Sequence, residues 1–513
     1  MWASMPPSGP SCIVPVACNA ALDRGGQSGE HVPMTIDLTQ VHTHPLALAR
    51  LRERIAVTTE AARRAGGYLA VAPHRPIAPT ADAVARLEVF RRPLQDTPRA
   101  AHDVLRELDE VGSPATTVQA MGRYFGYVNG GVEPAAAGAS ILAGAWDQNA
   151  ALPTQSPVAS VLDEVAAGWI VDLLGLPHDA VATFTTGATM ANFTGIVTAR
   201  DALLARAGWD VNEFGIVGAP PIRVIVGEEV HISALKSLRL AGLAPGLVER
   251  VPVDARGAID ADAFPADTDS LTLVLLQAGN VTTGASDPFD RIIPGVRERG
   301  GWVHVDGAFG LWAAASPTRR EQVAGVSQAD SWATDAHKWL NAPYDSGVVI
   351  VRDHDDLYRA MAMHAPYLAT TDARPLMHLS PHMSQRARGV ETWALLAARG
   401  RTGIAGLVDH SCAMAALFAE LLSDAGAEVL VTPSLNQVPV AFGDAPGARG
   451  DDAVTAAVTE AIQREGTLWA GSSVWRGRTI LRLSVSDAAT TADDVRASVA
   501  AIVACWEAVR GPR

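Results

Sequence analysis

The sequence predicts an α/β protein: a large domain on a mostly parallel sheet covered by helices, a smaller α/β domain after it, and a helical segment before it. Three observations carry this expectation. Between about residues 126 and 395, short runs of near-continuous Val, Ile and Leu alternate with helical stretches, as strands buried on both faces do. After about residue 396, strand-like and helical runs alternate again on a smaller scale. A chain of 513 residues also exceeds what one ordinary core organises, so two or three domains are expected.

In chain order, residues 1–33 are rich in Pro, Ser and Gly and lack a charged start followed by an apolar run of signal-peptide length. They read as a flexible tail, or as sequence upstream of a start at Met34. Residues 34–125 form the helical segment, with apolar residues at helical spacing over 48–55 and 83–90. Such a segment makes a poor domain alone and is expected to pack on something else. In the large domain, 126–395, the strand candidates are 181–185, 222–226, 271–277, 302–306, 331–334 and 348–352. In the small domain, 396–513, they are 428–431, 438–442 and 480–485.

Hydrophobic residues make up 48% of the chain and charged ones 19%, which describes a packed protein and argues against a disordered one. Lys and Arg number 41 against 55 Asp and Glu, a net charge of −14. That balance disfavours nucleic acid and anionic membrane as partners while leaving room for a local phosphate pocket. No run approaches the ~18 apolar residues that cross a bilayer, so a soluble protein is expected. Cys12, Cys18, Cys412 and Cys505 have neither metal-ligand spacing nor the density of a disulfide framework; a reducing cytoplasm and no metal site are expected.

Chemistry gathers at the predicted strand ends. The stretch Asp330-Ser331-Trp332-Ala333-Thr334-Asp335-Ala336-His337-Lys338-Trp339 sets a His-Lys pair between a strand-like run and the apolar run 347–351. Lys338 offers an ε-amine for a Schiff base, provided burial lowers its pKa. A snorkelling surface lysine is the commoner use of any one Lys, but the flanking Trp332 and Trp339 and the neighbouring His337 argue against ordinary exposure. Upstream, Asp306 closes the run Val303-His304-Val305-Asp306. A buried carboxylate there needs a cation, and the pyridinium of pyridoxal 5'-phosphate (PLP) supplies one; taken alone, an Asp capping the next turn is as good a reading. The turn Thr185-Thr186-Gly187-Ala188-Thr189 runs from a strand into a helix and presents backbone N–H groups and a helix dipole to an anion, although such turns more often only cap their helix. His231, after the run 222–226, offers an imidazole to stack on a flat cofactor and touch substrate, where a lone loop His is usually solvated. Four candidates at strand ends converge on the edge where open α/β sheets place ligands. Together they describe a PLP site.

At these residues the chain resembles the group II PLP-dependent amino acid decarboxylases, the family of the aromatic amino acid and glutamate decarboxylases. The likeness spans roughly 120–490, from Tyr124-Phe125-Gly126-Tyr127-Val128-Asn129-Gly130-Gly131 to Leu481-Arg482-Leu483-Ser484-Val485-Ser486. The family's His-Val-Asp-Ala-Ala-Tyr stands here as His304-Val305-Asp306-Gly307-Ala308-Phe309, and its His-Lys-Trp as His337-Lys338-Trp339. The resemblance implies a PLP fold-type I enzyme with a seven-stranded sheet in its large domain. It implies that Lys338 forms the Schiff base, Asp306 binds the pyridine nitrogen and His231 stacks over the ring. Gly187, Ala188 and Thr189 would hold the phosphate with His337, Ala308 would pack on the other ring face, and Asn280, often Thr in the family, would add a polar contact. It further implies a homodimer with residues 36–125 wrapping the partner, and decarboxylation of an L-amino acid to amine and carbon dioxide through an aldimine at Lys338 and a quinonoid.

One stretch departs from the aromatic decarboxylases. Their mobile loop carries a Tyr associated with protonation at Cα; the stretch 367–383 here looks shorter and has no clear equivalent, with His378 or His382 as substitutes or as plain loop residues. Other PLP outcomes, namely aldehyde-forming oxidative deamination, Cα–Cβ lyase or condensation chemistry and transamination, therefore stand as alternatives. Tyr124, Phe125, Tyr127 and Trp146 suit an aromatic pocket or a core equally well. Arg386, Arg388 and Arg482 suit a substrate carboxylate or a structural ion pair. Trp469, Trp475 and Arg476-Gly477-Arg478 receive no role from the sequence.

Overall fold

The computed structural model describes residues 44–363 and 374–511. The chain divides into two compact units, one of Met1–Ala70 with Ala85–Pro114, the other of Val71–Val84 with Ala115–Arg513. The first unit is a helical arm. Its long helix Pro45–Val71 has no buried residue, and charged pairs join its pieces: Arg64 to Asp109 at 2.8 Å, and Arg92 and Arg99 to the shared Glu107. Exposed pairs contribute little each, and none of the described residues of this unit is buried, so they form no core among themselves.

The second unit contains both sheets. The larger has the strands β1 (Val181–Thr185), β2 (Arg223–Gly227), β3 (Glu249–Val251), β4 (Thr272–Gln277), β5 (Trp302–Asp306), β6 (Ser331–Asp335) and β7 (Gly347–Val351), in the order β1-β7-β6-β5-β4-β2-β3. β3, β2, β4, β5 and β6 pair in parallel, and β7 runs antiparallel to both β6 and β1. The smaller sheet, β8 (Glu428–Val429), β9 (Gln437–Ala441), β10 (Gly471–Trp475) and β11 (Arg478–Ser484), is antiparallel in the order β10-β11-β9-β8.

The Val/Ile/Leu runs become strands because the central ones are buried along their whole length. One face of the large sheet packs Trp312, Trp332, Trp339 and Phe289; the other packs Trp302 against the helix Ala188–Arg206. A second core, with Phe125, Phe418, Phe442 and Trp506, lies under the small sheet. The apolar stretch Gly389–Asp424 is long enough by length and composition to cross a membrane. It breaks its helical geometry at Gly400 and gives Leu407 and Val408 to the first core and Ala415 and Phe418 to the second, which is the work of a core helix.

Register puts the C-terminal ends of the parallel strands on one edge. Gln277 faces Asp306 across β4 and β5, and Gly347 pairs with both Thr185 and Asp335. Gly347 has to be glycine: a Cβ there would lie 2.4 Å from the backbone of Gly187, so the turn after β1 could not settle against β7.

His304 ties β5 to its neighbours. Its Nδ1 meets Ser331 Oγ at 2.8 Å and its Nε2 meets Asn192 Oδ1 at 2.9 Å, and burial pushes its pKa down to about 3. Because the folded value lies below the ordinary one near 6.5, the unfolded chain binds the extra proton between the two; the stability His304 contributes is present above pH 6.5 and lost as pH falls toward 3. We expect the thermal midpoint of the wild type to fall more steeply from pH 7.5 to 5 than that of His304→Gln. Parallel pH profiles would contradict this role.

Candidate active site

A cavity of about 290 Å³ opens at that strand edge, lined by Tyr127, Val128, His231, Gln277, Gly279, Val281, Asp306, Ala308, Phe309, Lys338 and Arg482. Lys338, Asp306, His231 and Ala308 thus share one space, as their places at strand ends predict.

Asp306 is the last residue of β5 and is buried. Its Oδ1 accepts a hydrogen bond from Ala308 N–H at 3.2 Å, and among the described residues it meets no cation. A desolvated carboxylate in that position calls for a positive partner from a ligand. Lys338 follows β6 by three residues, and its Nζ lies 3.0 Å from Asp335 Oδ2. The chain contains two lysines, and the other, Lys236, is exposed on the helix Ile232–Leu240.

His231 caps that helix. Ser233 N–H donates to its Nδ1 at 3.3 Å, with Ser233 Oγ 2.7 Å away. With Nδ1 an acceptor, the neutral ring carries its proton on Nε2. Burial lowers the pKa of His231 despite the opposing pull of Asp306, and the positive Lys338 and Arg482 lower it further; the neutral form prevails near pH 7. Gln277 fixes the turn, accepting from His231 N–H at 3.1 Å and donating to Glu229 O at 3.1 Å.

Gly187, Ala188, Thr189 and His337 lie around Asp335, next to Lys338, and do not themselves line the cavity. Gly187, at φ 152°, starts the helix Ala188–Arg206, and a Cβ on it would come 3.2 Å from His337 Cε1. Ala188 N–H donates to Asp335 Oδ1 at 2.6 Å. Thr189 O accepts from Ser237 Oγ at 3.0 Å, linking this turn to the His231 helix. His337 stacks on Tyr344 with ring centroids 4.3 Å apart, accepts from Ser346 N–H at Nδ1, and brings Nε2 to 3.5 Å from Asp335. Burial keeps it neutral by lowering its pKa.

Asn280 is a correction. It is absent from the cavity wall because its amide is used elsewhere: Oδ1 accepts from Thr282 and Thr283 N–H, and Nδ2 donates to Glu229 at 2.9 Å. Tyr127 lines the cavity; Phe125 belongs to the second core, Tyr124 stacks on Trp469 at 4.9 Å, and Trp146 is exposed. Arg386 and Arg388 form ion pairs with Glu391 and Asp345, at 2.8 and 3.1 Å. Arg482 is different: it faces the cavity, burial pushes its pKa down, and no carboxylate among the described residues pairs with it. Residues 364–373 of the predicted loop lie outside the described residues; His378 and His382 do not line the cavity.

Three residues complete the site without having been singled out in the sequence. Asp335 is the anion between Lys338 and the helix start, visible in retrospect as the last residue of a strand-like run. Gln277 ends β4 as Asp306 ends β5. Asn341 secures the turn after Lys338, donating to Trp339 O and Ser486 O at 2.8 Å each and accepting from Gly131 and Ala488 N–H. No local pattern marks it, since apart from Trp339 these partners lie far off in the sequence.

An amine, an unpaired buried carboxylate and a neutral stacking-capable imidazole around one cavity, beside a glycine-opened helix start, fit PLP. Residues 87–443 match the family model of the pyridoxal-dependent decarboxylase conserved domain, and the chain belongs to that family, whose members are PLP-dependent lyases acting on amino acids. Among its relatives is L-2,4-diaminobutyrate decarboxylase of Rhizobium meliloti (strain 1021), 28% identical over 430 residues, 80% of this chain and 83% of that one. Tryptophan decarboxylase 1 of Oryza sativa subsp. japonica is 26% identical over 441 residues, covering 79% and 83%. The crystal structure of Oryza sativa TDC with PLP and tryptamine superposes with a TM-score of 0.81 at 23% identity, over 90% of this chain and 99% of that one, which shows the fold.

Proposed function

We propose that this enzyme removes the carboxyl group of an L-amino acid as carbon dioxide and releases the amine. The observation that carries the reading is Arg482, a desolvated guanidinium facing the cavity of Lys338 and Asp306 with no carboxylate of its own among the described residues. A substrate carboxylate supplies the missing partner. When bound, PLP supplies the electron sink for the bond that breaks at the α-carbon.

The chain's residues do the rest. Lys338 is the amine that would hold the cofactor. Asp306 would keep a proton on the ring nitrogen by offering a carboxylate in a low-dielectric site. Neutral His231 would lie against the ring, with its proton at Nε2 available to the reacting centre. Arg482 would fix the carboxylate, and since orientation decides which bond at the α-carbon breaks, that grip would set which bond is presented, in this reading the one to the carboxyl carbon. Gly187, Ala188, Thr189 and His337 would hold the phosphate, with Asp335 keeping the helix start and Lys338 in register. Tyr127, Val128, Val281 and Phe309 give the cavity apolar and aromatic walls, and Asp306, the one carboxylate among its described lining residues, would be committed to the ring; an aromatic side chain suits that lining best.

Arg482→Gln is expected to raise KM for the substrate about tenfold or more, the order expected for loss of one charged contact, with PLP content unchanged. An unaltered KM in the loaded variant would remove the reading's main support.

A homodimer belongs to the same reading. Ile141, Leu142 and Trp146 on the helix Pro134–Trp146, and Val158 and Val161 on the helix Pro157–Leu173, are exposed on the single chain, apolar surface that a second copy of the chain would cover. Light scattering on the purified protein should give twice the chain mass, and a fully active monomer would contradict it. We place the enzyme in the cytoplasm, in keeping with its free thiols Cys412 and Cys505.

A further inference from the structure

The β10–β11 hairpin and the turn that carries His231 meet at one carboxylate. Glu229 stands two residues before His231. Its Oε2 accepts from Trp475 Nε1 at 3.0 Å and from Asn280 Nδ2 at 2.9 Å, and its Oε1 accepts from Arg476 Nε at 3.2 Å. Trp475 ends β10, and Arg476 and Gly477 form the two-residue turn into β11, both at positive φ, 50° and 72°. Glycine takes that conformation freely and arginine does not. Arg476 is held there by three contacts: Glu229, the main-chain oxygen of Asp254, and the Trp475 ring, 4.9 Å from its guanidinium. Gly257 lets Glu229 in, because a Cβ on it would lie 2.5 Å from Oε2.

Both walls of the active-site cavity connect to this clasp. On the large-sheet side, Glu229 O receives Gln277 Nε2, and Gln277 Oε1 receives His231 N–H. On the small-sheet side, the clasped turn leads directly into β11, where Arg482 pairs with Gly471 at the far end of the hairpin. That far end has its own anchor: Trp469 bridges to Tyr124 and stacks on Tyr127 at 5.3 Å. Held at its turn by the clasp, at its open end by Trp469 and along its other side by β9, where Arg482 faces Pro439, the hairpin keeps Arg482 in one place. We propose that Glu229 is a positioning residue, setting Arg482 on the small sheet against His231 and the cofactor site on the large one. The proposal rests on the reading that Arg482 meets substrate.

The test uses the holoenzyme and three variants, Glu229→Ala, Glu229→Gln and Trp475→Phe, read by visible circular dichroism of the bound cofactor and by the split between KM and kcat. Glu229→Ala is expected to change the cofactor's dichroic band and to raise KM about tenfold, with PLP content kept and the thermal midpoint within about 5 °C of wild type. Glu229→Gln, which keeps an acceptor oxygen, should recover most of the loss; Trp475→Phe, which removes one donor, should show a smaller shift of the same sign. In an Arg482→Gln background, Glu229→Ala should add nothing to KM. A folded, loaded Glu229→Ala protein with wild-type KM and dichroism overturns the proposal, and should that variant not fold, wild-type values in Trp475→Phe do so. An effect of Arg482→Gln without any effect of the Glu229 variants sinks the clasp alone, whereas no effect of Arg482→Gln sinks the carboxylate reading beneath it.

Discussion

Lys338→Ala is expected to fold, to lose its covalent link to PLP and to lose turnover altogether. Among the described residues no other amine lines the cavity: the chain has two lysines, and Lys236 is exposed on a helix and absent from the cavity wall. Lys338 lies 3.0 Å from Asp335 and lines the same space as Asp306 and His231. Folding should survive, since the side chain keeps some solvent exposure and its loss leaves Asp335 with the Ala188 N–H. The check is borohydride reduction of the PLP-loaded proteins followed by peptide mass analysis. Wild type should carry the reduced cofactor on Lys338 and the variant should carry none; a label on Lys236, or turnover in the variant, would contradict the assignment.

Asp306→Asn should keep much of the cofactor and lose about a hundredfold or more in kcat, the scale seen when one preorganised electrostatic partner is removed. The two parts of this expectation have separate causes. Cofactor retention follows from Lys338 and from the phosphate turn, which the substitution leaves alone. Activity falls because an amide has no charge to hold a proton on the ring nitrogen, and without it the ring is a poor electron sink. The size of the effect depends on burial: Asp306 is almost fully shielded and has no competing cation among the described residues, so its charge is undiluted. PLP content and kcat measured on the same preparation decide the matter, and a variant within a few-fold of wild-type kcat would remove Asp306 from its role.

Much of the fold is legible because its central strands are buried on both faces and so are written as uninterrupted apolar runs. β1 and β5 fall at the expected residues, and β2, β4, β6 and β7 within one residue at either end. β3 and β10 are not legible: each is an edge strand, Glu249–Val251 too short and Gly471–Trp475 too polar to stand out. The site divides along the same line. Lys338, Asp306 and His231 are visible since they follow apolar runs and carry unusual chemistry for such places. Asn280 is expected to face the cofactor, but its amide folds back into its own turn: Oδ1 meets the N–H groups of Thr282 and Thr283, two and three residues on, and Nδ2 meets Glu229, which only the fold brings near. Asp335 and Asn341 act through partners some 150 residues away in the chain, such as Ala188 and Ser486, and Trp475 with Arg476 acquires a meaning only once the hairpin meets Glu229.

The most direct measurement mixes the PLP-loaded enzyme with a panel of L-amino acids, each labelled with ¹³C at the carboxyl carbon, and follows labelled carbon dioxide and amine together by mass. The account predicts that an aromatic member of the panel yields the two in equal amounts. Labelled carbon dioxide accompanied by an aldehyde, or a product that keeps the label, would contradict it.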